Sequence, residues 1–183
     1  DEGFDYSVIL PQDTLINIGL DINIPYTVTD SINIINATWE IEGLEFCNNC
    51  ESINLSPIST TLVNISVAND LGCKAEDEIL IIVNNKIAFD LPNVFHPNST
   101  IGNDRFFVPE NPGIKEIVKL DIYDNWGNIV FKKRNFQSGQ KDLGWDGKFN
   151  GKEVNPGVFV IYLDIVLLDD SRLQFYRDLT VIR

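Results

Sequence analysis

The chain has 183 residues, 44% of them hydrophobic, and a formal net charge of −13. That length fits one large domain or two modules of about 100 residues each, and the hydrophobic fraction excludes a disordered tail. The charge excess lies wholly in the first half: residues 1–85 carry 14 acidic groups and one basic group, Lys74, whereas residues 86–183 carry 13 of each. Two bodies with different surfaces are therefore expected, over 1–85 and 86–183. An acidic first body repels phosphate backbones, which argues against nucleic acid as a partner. No stretch approaches the ~20 apolar residues of a membrane-spanning helix. The opening Asp1-Glu2-Gly3 is neither a signal peptide nor an initiator methionine, so the sequence is expected to be part of a longer chain.

In chain order, residues 15–18, 22–24 and 38–41 alternate apolar and polar as half-buried strands do. Trp39 is the candidate central aromatic of a sandwich. Val63, Ile65 and Val67 line one face of a further strand. Asn69 to Gly72 turns the chain, and a strand over 74–83 closes a hairpin. Residues 84–86 read as a linker.

The second half starts at Ile87-Ala88-Phe89, and prolines and glycines hold its early part in loops and short edge strands. Residues 118–123 alternate as a strand, 125–128 turn, and 129–131 return. A polar loop follows over 134–143. A long strand over 158–168 reads as apolar on both faces for much of its length, and a strand over 173–182 finishes the sheet. Periodicity of 3.6 residues is absent throughout, so both halves are expected to be all-β, as two consecutive immunoglobulin-like antiparallel sandwiches.

The cysteines are Cys47, Cys50 and Cys73. A C-x-x-C pair serves redox chemistry, half a zinc site or a small disulfide. The only histidine, His96, is far from it in sequence, and a βαβ context is lacking. A Cys47–Cys50 disulfide is the preferred reading, with Cys73 able to replace either partner. Trp126 and Trp145 are expected to pack over the core or brace turns, and Asp146-Gly147 and Asn150-Gly151 are hairpin-turn dipeptides. The acidic groups of 76–78 read as a solvated face, since no calcium-loop spacing accompanies them.

Five motifs in order cover 87–183: Leu91-Pro92-Asn93-Val94-Phe95 leading to Asn103-Asp104-Arg105-Phe106; Ile122-Tyr123-Asp124-Asn125-Trp126-Gly127 through Phe131; Gly144-Trp145-Asp146-Gly147 through Asn150-Gly151; Asn155-Pro156-Gly157-Val158-Phe159; and Leu179-Thr180-Val181-Ile182-Arg183. The half that holds them resembles the type B C-terminal domain of type IX secretion cargo, also called the gliding motility-associated C-terminal domain. It departs from the family in its first loop, where Asn98-Ser99-Thr100-Ile101 replaces a usual Asn-Gly-Asp-Gly and removes a carboxylate. The first half resembles the acidic polycystic-kidney-disease-like repeats that precede such domains, through Trp39, the Cys47–Cys50 step and Asp70-Leu71-Gly72-Cys73. Asp13-Thr14-Leu15 and Asp30-Ser31-Ile32 fit the short O-glycosylation pattern of exported proteins of the same group.

The resemblance implies a surface-exposed protein, without cofactor, catalytic residues or metal, held at the outer membrane. Its implied partners are the type IX translocon and an outer-membrane protein of the PorP/SprF kind, and its cargo class includes large gliding adhesins of the SprB type. The implied targeting residues are Asn103, Asp104, Trp126, Gly127, Trp145, Asp146, Gly147, Gly157 and Arg183. The alternatives are an adhesive module for a glycan or neighbouring protein, and the tail of a secreted enzyme.

Overall fold

The computed structural model describes residues 6–29, 33–87, 90–100 and 102–183. Ala88, Phe89, Ile101 and the Asp30-Ser31-Ile32 pattern lie outside these. The chain divides into two compact units, 1–86 and 87–183.

In the first unit, β1 (Val8–Ile9) pairs with β4 (Thr27–Val28), and β3 (Ile22–Pro25) with β7 (Ser52–Leu55). The larger sheet has five strands. β2 (Thr14–Asn17) runs parallel to β9 (Lys74–Asn84), followed by β8 (Thr61–Asn69), β5 (Ile34–Ile41) and β6 (Leu44–Asn48). Alternation decides which face is covered: Val63, Ile65 and Val67 of β8 are buried, with the residues between them half-buried. They join Trp39 of β5, Ile24 of β3 and Ile53 of β7 in one cluster, so the short pairs cover the inner face of the large sheet.

The Trp39 indole donates to the Cys50 carbonyl at 2.9 Å. A disulfide joins Cys47 to Cys50, and Cys73 is a free, exposed thiol. Glu40, Glu76 and Glu78 border a shallow depression on the outer face with Thr38, Asn64 and Ser66. The Thr14 hydroxyl donates to the Gln12 carbonyl.

The second unit is built on one five-stranded sheet. β10 (Val94–Phe95) runs parallel to β16 (Arg172–Val181). Beyond it lie β15 (Gly157–Leu167), β11 (Ile114–Tyr123) and β12 (Ile129–Phe136), all antiparallel. Phe159, Ile161, Leu163, Ile165 and Leu167 of β15 point inward, beside Leu120 and Ile122 of β11 and Leu179 and Val181 of β16. A layer of loops faces them, carrying Phe106, Val108 and Trp145. It also holds a 3-10 turn (Lys141–Leu143) and the pair β13 (Lys148–Phe149) with β14 (Lys152–Glu153).

One expectation about the strands needs correction. The region read as a loop from 134 continues as strand through Phe136. Arg134 stands opposite Lys119, and Phe136 returns to the interior opposite Ile117. β15 is apolar on both faces for much of its length, with Val158, Val160 and Val166 on the outer side, where Tyr162 and Asp164 interrupt the run. Four strands of two to five residues, β1, β4, β6 and β7, have no counterpart in the sequence expectation, being too short to show a period.

Candidate docking surface of the C-terminal unit

Asn103 to Phe106 forms an internal clamp. The Asn103 side-chain amide donates to the Val94 carbonyl at 3.2 Å, and the Asn103 main-chain carbonyl accepts from His96 N–H at 3.1 Å, which fixes β10. Asp104 pairs with Lys141 at 2.8 Å, a hydrogen bond that holds its carboxyl below the ordinary range. Arg105 donates to the Gly144 carbonyl at 3.1 Å. Phe106 and Trp145 exchange two backbone hydrogen bonds, of 2.9 and 2.8 Å.

Trp145 is 1% exposed. Its ring lies 5.6 Å from Phe95 and 5.2 Å from Phe159, and its indole donates to the Lys148 carbonyl at 2.9 Å. The glycines beside it are set by close approach. A Cβ on Gly144 would stand 2.5 Å from the Phe106 carbonyl oxygen, and one on Gly147, at φ +76°, would stand 2.5 Å from Pro97 Cγ. Asp146 accepts from Lys148 N–H at 3.1 Å. Trp145 and Gly147 therefore shape the unit from inside, while the exposed Asn103 and the half-buried Asp104 tie its loops together.

Trp126 behaves differently and corrects the expectation that it packs. It is 89% exposed, on the turn between β11 and β12. Asp124 builds that turn: its Oδ1 accepts from the N–H groups of Trp126 and Asn128, and its Oδ2 from the Asn128 amide. Gly127 N–H donates to the Asp124 carbonyl at 3.0 Å. The bond from Asn128 and these backbone donors keep the Asp124 carboxyl below its ordinary range. A rigid turn thus holds a large aromatic in solvent.

Beneath it runs a groove of about 250 Å³, lined among others by Trp126, Val130, Phe149, Pro156, Gly157 and Val158. A second depression shares Val130 and Phe149 and continues to Ile129 and Lys132. Arg183 is ion-paired with Glu153 of β14, next to Val154 on the groove wall. The turn motif and the Pro156-Gly157 motif so converge on one apolar rim, whose members Ile129, Phe149 and Val158 are each more than a third exposed.

The outer face of the sheet holds a polar lattice that motif reading missed. Asp121, 1% exposed, accepts from Arg134 at 2.5 Å and from the Tyr123 hydroxyl at 3.2 Å, and pairs with Lys119 at 3.2 Å. Asp164 receives a two-pronged contact from Arg172, at 2.7 and 2.6 Å. Lys119 Nζ lies 4.7 Å over the Tyr162 ring, which in turn lies 4.9 Å from Tyr176. The available signal was an aspartate within an otherwise apolar strand, since a buried carboxylate must be paired.

Burial pushes the Asp121 carboxyl up, but Arg134 and Lys119 outweigh it and hold it below the ordinary range; for Asp164 the Arg172 bond is the leading cause of a drop. Their stabilisation is complete above the unfolded aspartate pKa of about 4 and is lost as pH falls through the lower folded values. Acid titration of stability should therefore show a loss below about pH 4 that Asp121→Asn with Asp164→Asn flattens. Each substitution should cost about 2 kcal/mol at neutral pH, checked by urea unfolding.

Residues 89–176 match the family model of the CHU_C Type IX secretion signal domain. This unit belongs to that family. A type IX secretion signal marks its chain for export, so the chain is part of a secreted or cell-surface protein. No curated protein matches the chain.

Among solved structures, it is similar to the SGBP-B protein of the Bacteroides ovatus mixed-linkage glucan utilization locus, in complex with a heptasaccharide. The identity is 18%, over 98% of this chain and 48% of that one, with a TM-score of 0.38. The fibronectin(III)-like modules of Clostridium thermocellum CbhA align at 12% identity over 96% and 93%, with a TM-score of 0.37. Dimeric latent PorU from Porphyromonas gingivalis aligns at 13% over 96% and 20%, with a TM-score of 0.33. The chain thus spans about half of the first structure and a fifth of the third. All three TM-scores lie below 0.5, too low to carry a functional argument.

Proposed function

We propose that residues 87–183 are a folded export signal that docks, through the Trp126 rim, to an outer-membrane partner of the PorP/SprF kind and keeps its protein at the cell surface. In this reading the acidic unit is a spacer of the polycystic-kidney-disease-like kind, and the whole protein is a surface adhesin of the gliding type. The observation that carries the docking reading is Trp126, held almost fully in solvent by a turn that Asp124 closes through Trp126 N–H and Asn128. Exposed aromatics over apolar grooves are the anchors that dominate interface energies, at about 2 kcal/mol or more each. The surrounding Ile129, Phe149 and Val158 supply apolar area to desolvate around such an anchor.

The test is a fluorescent passenger carrying an inner-membrane export signal, fused to residues 87–183 in a host with a type IX system. Surface display should depend on co-expression of the outer-membrane partner. Trp126→Ala should weaken partner binding at least tenfold, while thermal stability changes by less than about 0.5 kcal/mol, as at ordinary surface sites. A folded fusion that stays in the periplasm overturns the reading.

A further inference from the structure

On the outer face of the second unit's sheet, the polar lattice ends in one aromatic ring left in solvent. Tyr176 of β16 is 69% exposed. Its cross-strand partner on β15 is Tyr162, with ring centroids 4.9 Å apart and planes tilted by 43°. Tyr162 is itself pinned. Lys119 covers its ring at 4.7 Å and is held in turn by the buried Asp121. The Tyr162 hydroxyl donates at 3.5 Å to Asp164, which Arg172 grips with two bonds. The lattice therefore braces the Tyr176 ring from one side and leaves the rest of it to solvent.

Beside that ring lies a depression of about 420 Å³, lined by Asn93, Val160, Tyr176, Arg177 and Asp178. A second, of about 300 Å³, shares Asn93, Arg177 and Asp178 with it, so the two form one cleft. Neither shares a lining residue with the groove at Trp126. Val160 and Asp178 are cross-strand partners, one outer position along from Tyr162 and Tyr176. With a period of two, Tyr176 and Asp178 point to the same face, about 7 Å apart along β16. Asn93, Arg177 and Asp178 are exposed, and none of their side chains has a hydrogen-bond or ion-pair partner among the described residues.

This set of groups selects a class of ligand. Next to Tyr176 the Arg177 guanidinium and the Asp178 carboxylate cancel, and Asp90 adds a carboxylate at the far end, so the cleft does not attract anions. The depression beside Tyr176 has only Val160 and that ring as apolar lining, too little for the desolvated anchors on which protein interfaces depend. A pyranose ring matches both parts of the set. Its C–H face lies flat on an aromatic ring, and its vicinal hydroxyls donate to a carboxylate while accepting from a guanidinium or an amide. The step from Tyr176 to Asp178 is filled by one such ring and one hydrogen bond.

We propose that this cleft is a carbohydrate-binding site for a neutral, hexose-containing glycan. Tyr176 is its stacking platform, and Asn93, Arg177 and Asp178 bind the hydroxyls. The proposal does not depend on the export reading, because it uses none of the residues at the Trp126 rim.

The experiment places the purified 183-residue chain on an array of neutral glucan, mannan and galactan oligosaccharides and of uronic acid oligosaccharides. The neutral oligosaccharide captured best is then titrated by calorimetry. Tyr176→Ala and Asp178→Ala should each weaken its binding about tenfold or more, whereas Tyr176→Phe, which keeps the ring, and Trp126→Ala should stay within about threefold of wild type. All three positions are exposed, so melting temperatures should hold to within a few degrees. In the wild-type chain the same oligosaccharide should shift the amide NMR signals of Asn93, Tyr176 and Asp178 and leave those of Trp126 and Gly127 in place.

Capture of no neutral glycan overturns the proposal, and so does capture of the uronic acid oligosaccharides alone. Binding that survives Tyr176→Ala, or that Trp126→Ala abolishes, overturns it as well. A photo-crosslink from position 176 to the outer-membrane partner, with no glycan captured, would give the cleft to a protein instead.

Discussion

Trp145→Ala should destabilise the second unit by about 3–5 kcal/mol, the range for a large aromatic cut out of a core. The residue is 1% exposed and touches Phe95 and Phe159, so little of the space it leaves can be filled by solvent-side rearrangement. Its indole N–H also satisfies the Lys148 carbonyl, and its backbone is one half of the bridge to Phe106. A domain of this size has about 5–15 kcal/mol in all, so the loss is a large fraction of the total. It should appear as a fall of the melting temperature on the order of 20 °C. Hydrogen exchange should speed up across β10 and β15, the strands that carry Phe95 and Phe159. Trp126→Ala is the matched control, because the same side chain is removed with almost no burial lost. A melting temperature that moved equally in both variants would mean that Trp145 is not the centre of this core.

That contrast also marks where sequence stops being informative. Trp126 and Trp145 each stand in a short motif of aspartate, asparagine and glycine, and nothing local separates them. Trp145 is buried because its strand segment bridges to Phe106, 39 positions away, beneath the five-stranded sheet. Trp126 sits on a five-residue turn closed on itself by Asp124. The long strands β8, β9, β11, β15 and β16 were legible because each holds a run of apolar residues at every second position, from Val63 to Val67 in β8 up to Phe159 to Leu167 in β15. β12 was legible only to Phe131, since Lys132 to Asn135 look like a loop until their opposite numbers on β11 are known. The Asp121 and Asp164 lattice needs cross-strand register in the same way: Lys119 faces both Arg134 and Asp164 from one position. The ordered motifs did mark the residues that later converge on the groove rim. Which of these meet solvent was beyond motif reading, because exposure depends on which distant segment covers each one.

Deleting residues 179–183 should abolish export, and the reason should be loss of fold rather than loss of an address. Leu179 and Val181 are buried, at 0% and 1% exposure, and burying side chains of this size contributes about 1.5–3 kcal/mol each. Thr180 and Val181 supply the pairing that β10 makes among the described residues, and Thr180 and Ile182 donate to Asn93 and Phe95. Phe95 would then lose its strand, and with it one wall of the Trp145 pocket. The summed loss, about 5 kcal/mol or more, reaches the lower end of the whole stability of a small domain. Arg183→Ala separates the two explanations. Its side chain makes an ion pair with a half-exposed Glu153, a contact worth at most about 1 kcal/mol, so both melting temperature and passenger display should stay close to wild type. If Arg183→Ala left the fold intact and stopped display, the Arg183 guanidinium itself would be the group that the export partner reads, and the sheet would serve only to present it. The expected pattern, silence at Arg183 and collapse on removing Leu179 to Arg183, instead makes these residues essential because they complete β16, which ties β10 into the sheet.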